Sequence, residues 1–150
     1  MNRLAPYACV LLCTLYASIG FSQSASKPHQ FDSYPRTISC SEAELGRAFA
    51  TATGQNINLS FSDNFSFSGA VTGNEYKYSN LQTVVIKSPT FNNSVFALSK
   101  IINNDNTVTY VGRIINTNYF DGFELKKNAT GNYQLIKIET KRVIQDCSQH

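Results

Sequence analysis

The sequence predicts an α+β fold, with one N-terminal helix packed on a curled, mostly antiparallel sheet of seven to eight strands. Three observations predict it. A single capped helical segment opens the domain, the apolar period then drops from about 3.6 to about 2 residues, and turn residues punctuate every short run that follows. A small closed β-barrel is the alternative for the same pattern, because sheet edges must be closed, covered or charged.

The chain starts with Arg3, an apolar run from Leu4 to Phe21, and small residues at Gly20 and Ser22 before a cut at Gln23. Residues 1–22 therefore read as a signal peptide. The run contains Pro6 and no positive cluster follows it, so no stable membrane anchor is expected after cleavage. The mature chain is expected to be secreted or periplasmic, where disulfides persist. It keeps Cys40 and Cys147, which admit one intramolecular pairing. That bridge would close a single globular domain over 40–150 and add about 4–5 kcal/mol in the chain-entropy view.

Residues 23–39 hold Pro28, Pro35 and several serines without an apolar period, and read as a flexible lead-in. A helix is predicted over Ser41 to Thr53. Ser41 and Glu44 make a capping box, Leu45, Phe49 and Ala52 share one face, and Gly54 supplies a left-handed stop. Gly46 is its weak point.

Strands follow. Ile57, Leu59 and Phe61 alternate with polar residues, and Phe65 and Phe67 continue after a Ser62–Asn64 turn. Leu81 to Lys87 is β-branched, and Val95–Ile102 and Thr107–Ile115 flank an Asn103–Asn106 hairpin turn. Tyr119–Lys126 and Asn132–Glu139 flank a second turn that ends at Gly131. A last strand, Arg142–Asp146, would return Cys147 toward Cys40.

Composition narrows the function. Hydrophobic residues make up 42% of the chain and charged residues 15%, which suits a packed core rather than disorder. The net charge of +3 falls to +2 without Arg3, too small a field to imply nucleic acid. The two histidines, His29 in the lead-in and His150 at the end, stand where chains fray and do not suit a general base. No catalytic residues, cofactor or metal are therefore expected. Asp121 and Glu124, three apart on one strand, should point to opposite faces, and Glu75 and Asp63 read as turn residues.

The expectation is a non-enzymatic exported binding module (an inhibitor, pro-segment-like or surface accessory domain) for another protein or a glycan. Tyr76, Tyr78, Tyr110, Tyr119 and Tyr133 are its candidate surface, because tyrosine offers large contact area at low entropic cost. The alternatives are a carrier with an internal apolar cavity and, behind it, a hydrolase using paired carboxylates.

Overall fold

The computed structural model describes residues 27–140. Eight strands form one antiparallel sheet in the order β1-β8-β7-β6-β5-β4-β3-β2. They are β1 Thr37–Cys40, β2 Asn56–Ser62, β3 Phe65–Tyr78, β4 Leu81–Ser88, β5 Ser94–Ile102, β6 Val108–Ile115, β7 Asp121–Lys127 and β8 Tyr133–Glu139. The sheet curls until β1 and β2, its two edges, face each other, so the wall is nearly a barrel. The helix α1, Glu42–Ala50, is the link from β1 to β2 and packs against β2 and β4 at one mouth.

Alternation builds the wall. Strand β2 reads exposed-buried throughout, with Ile57, Leu59 and Phe61 inward, and β4 turns Val84 and Ile86 to the same interior. Phe65, Phe67, Phe96 and Phe123 are fully buried or nearly so and meet in tilted and edge-on ring contacts. The hairpin turns also follow the sequence signals, with Asn106 (φ 62°) and Gly131 (φ 86°) in the left-handed region. At β6 the neighbouring backbones come very close. A Cβ on Gly112 would lie 2.7 Å from the Ala97 carbonyl oxygen, and one on Gly122 would lie 2.4 Å from that of Ile114.

Helix α1 ends earlier than predicted, at Ala50. Ser41 Oγ accepts the Glu44 N–H at 3.2 Å, as a cap should, but the Glu44 carboxylate does not complete the box. It binds Arg47 Nη1 at 2.8 Å and the Ser60 N–H at 3.0 Å, pinning the helix to the free edge of β2. At the other end, Asn74 Nδ2 donates to the carbonyls of Phe49 and Thr51, so a β3 side chain takes acceptors that another helical turn would have used.

The reading of 23–39 as flexible needs correction over its described part. Residues 37–40 form β1 on β8, with Ile38 and Cys40 buried. Before it, Phe31 is fully buried at the mouth opposite α1, its ring 5.1 Å from Phe123, 5.4 Å from Phe91 and 6.4 Å from Phe65. The buried Asp121 carboxylate holds this plug by accepting the N–H groups of Gln30 (2.7 Å) and Phe31 (2.8 Å). Lys137 Nζ donates to the carbonyls of Phe31 and Tyr34. Polar anchors from the strand wall, rather than an apolar period, order the segment.

Burial pushes the Cys40 thiol up to about 12, although a backbone hydrogen bond from Leu135 pulls the other way. Its expected partner Cys147, the expected strand at Arg142–Asp146 and His150 lie outside the described residues.

Candidate binding surface

Residues that point away from the core on β5, β6 and β7 form an open groove of about 1030 Å³. Because strand side chains alternate, burying Phe96, Leu98 and Ile114 inside sends Val95, Ala97, Val111 and Ile115 outside. These four make an aliphatic floor, and Val111 keeps 45% of its surface exposed. Ser99 and Thr109 line one end, Asn116 and Thr117 the other. An exposed apolar strip with a polar rim is the kind of surface that marks an interaction site.

Charge borders the floor. Arg113 Nη2 and Nε reach Glu124 Oε1 at 2.9 and 3.2 Å, and Lys126 Nζ reaches Glu124 Oε2 at 2.7 Å. The hydrogen bond from Lys126, supported by Arg113 and only partly offset by burial, lowers the Glu124 carboxyl below its usual range.

The five tyrosines do not form one face. Tyr76 and Tyr78 are exposed (68% and 71%) where β3 approaches its turn into β4, and neither lines the groove. Tyr119 is half-buried, and its hydroxyl accepts from Asn92 Nδ2 at 2.8 Å. Tyr110 and Tyr133 are buried and meet edge-on at 5.6 Å. Tyr133 Oη accepts the Tyr110 N–H at 3.0 Å, a partner that makes a buried phenol tolerable. Desolvation first, then Glu42 and Tyr133, raise the Tyr110 phenol. Gly46 lies beside this pair, and a Cβ there would meet the Tyr110 hydroxyl at an ordinary 3.7 Å.

His29 and Glu75 are also placed differently from the sequence reading. His29 is not frayed: its ring packs 5.1 Å from Phe120, with Nδ1 3.3 Å from Asp32 and 3.9 Å from Asp121. Single ligand atoms of His29, Asp32 and Asp121 fall within 4.8 Å of one another. Both Asp121 oxygens already accept backbone N–H groups, so a cation there would compete with the Phe31 plug. Asp121 and Glu124 do lie on opposite faces, one buried and one on the groove, while Glu75 lies within β3 rather than a turn. None of His29, Asp32 and Asp121 lines the groove.

The groove was missed in the sequence because its apolar members sit one apiece between core residues and read as ordinary strand formers. The signal that could have found it is the run Val108–Ile115, where Val111 and Ile115 break the expected polar-outward alternation. Among the described residues, no helix is long and apolar enough to cross a membrane. No family model, curated protein or solved structure matches this chain.

Proposed function

We propose that this chain is a small exported module that binds a protein partner through the outer groove and carries out no catalysis itself. The observation that carries the reading is the aliphatic floor of Val95, Ala97, Val111 and Ile115, which the described residues leave uncovered on the sheet. Burying such a surface is favourable by roughly 25 cal/mol per Å². A protein suits it better than a glycan, since sugar hydroxyls laid on methyl groups would lose their hydrogen bonds to water. The apolar leader supports export. The carrier alternative has less support, because Phe31, Phe65, Phe67, Phe96 and Phe123 occupy the space a ligand would need.

The test is capture from the native secretome with the mature domain as bait, beside a Val111→Lys variant. A protein retained by the parent chain and lost by the variant supports the reading. Equal retention by both, or by neither, overturns it.

A further inference from the structure

Resting on that reading, we propose that the groove takes a protein segment whose aliphatic side chains are flanked by carboxylates. The charges near the floor come from β4, β6, β7 and the segment before β1. On β4, Lys87 pairs in register with Val95 and is exposed; the groove-facing residues of β5 (Val95, Ala97 and Ser99) are uncharged. Arg113 comes from β6, and Glu124 and Lys126 from β7; Lys127 also lines the groove but holds its ammonium 5.2 Å over the Tyr133 ring. At the Asn116–Thr117 end, Lys27 Nζ donates to the Thr117 carbonyl oxygen at 2.6 Å. Among the described residues, the groove lining thus carries three cations to one carboxylate, and that carboxylate is already bound by Arg113 and Lys126.

The cations retain capacity. Arg113 uses Nε and Nη2 on Glu124, its side chain is 47% exposed, and its guanidinium has a further nitrogen to donate. Lys126 is 56% exposed and has further protons beyond the one on Glu124. A neutral aliphatic segment would strip water from these groups and return nothing. A basic one would be repelled, while carboxylates on an aliphatic segment satisfy floor and rim together. A polyphosphate chain would answer the rim but leave the methyl floor unused.

The experiment uses the isotopically labelled mature chain and four probes: peptides of equal length alternating Val/Glu, Val/Lys and Ser/Glu, and a short single-stranded oligonucleotide. The Val/Glu peptide is expected to shift the amide signals of Val111 and Arg113 and to bind most tightly. Its affinity should fall about tenfold in Arg113→Glu and again in Lys126→Glu, and should weaken with added salt. Binding of the Ser/Glu peptide or the oligonucleotide at equal strength, or preference for Val/Lys, overturns the proposal. So does a concentration-dependent dimer that covers Val111, which would make a second copy the occupant. If no peptide binds although the secretome partner is lost in Val111→Lys, the acidic partner is wrong and the groove reading stands; if that partner is retained, both fall.

Discussion

The Asp121 carboxylate accepts the backbone N–H of Phe31 at 2.8 Å across a separation of 90 residues, and so ties the segment before β1 to the start of β7. Its other oxygen takes the Gln30 N–H at 2.7 Å. Asp121→Asn keeps the shape but turns a donor toward two donors. A loss of about 2–3 kcal/mol is expected, read as a lower urea midpoint at unchanged slope. Phe31→Ala should cost about 3–5 kcal/mol and open the mouth to a hydrophobic dye.

Two glycines should respond in opposite senses to an added methyl group. Gly112→Ala puts a Cβ within 2.7 Å of the Ala97 carbonyl oxygen and should destabilise by about 1–3 kcal/mol. Gly46→Ala meets the Tyr110 hydroxyl at an ordinary 3.7 Å and removes a helix-interior glycine. It should stabilise by about 0.5–1 kcal/mol. Thermal melts of the two variants would distinguish them, and a stabilised Gly112→Ala would contradict the close approach at β6.

Acid should loosen the helix from β2 and the rim of the groove. Burial alone would raise the Glu44 carboxyl, but its bonds to Arg47 and the Ser60 N–H outweigh this and lower it. Glu124 is lowered as well, chiefly by Lys126. A carboxyl depressed on folding stabilises the fold above its unfolded value, 4.5 here, and that contribution disappears as pH falls through the lower folded value. Unfolding curves from neutral to acid pH should therefore lose stability as pH falls below 4.5, and the paired change Glu44→Gln and Glu124→Gln should flatten the loss.

Cys40 should be inert as a thiol. With its ionisation pushed up to about 12, almost none is thiolate at neutral pH. In a Cys147→Ser chain, alkylation of Cys40 should wait for denaturant. In the parent chain kept in an oxidising medium, a Cys40–Cys147 bridge should show as loss of a hydrogen pair in the intact mass. Seven residues lead from Thr140 to Cys147, a reach of about 23–25 Å. Cys40 pairs with Tyr133 at the far end of β8, roughly 20 Å from Glu139. That span does not exceed the reach of seven residues.

The sheet was readable because Phe61, Phe65, Phe67 and Phe123 repeat with strand period between strong turns, a local signal that needs no partner. Strand β1 was not, since four residues after Pro35 carry too short a pattern and their partners lie near residue 135. Phe31 was hidden for the same reason: what buries it is the carboxylate of Asp121 and the rings of the far wall. The tyrosine surface failed on a property of the residue itself. Tyr133 finds a backbone N–H inside the wall while Tyr78 stands in water, and neighbouring sequence does not separate the two cases.

Every pairing in the wall joins strands adjacent along the chain, except β1 with β8. Strands β2 through β8 can therefore zip as successive hairpins, at small loop-closure cost. Residues 27–40 have nowhere to settle until β7 and β8 exist. In that order their arrival would complete the assembly, and a chain lacking residues 27–40 would uncover the phenylalanines that Phe31 packs against.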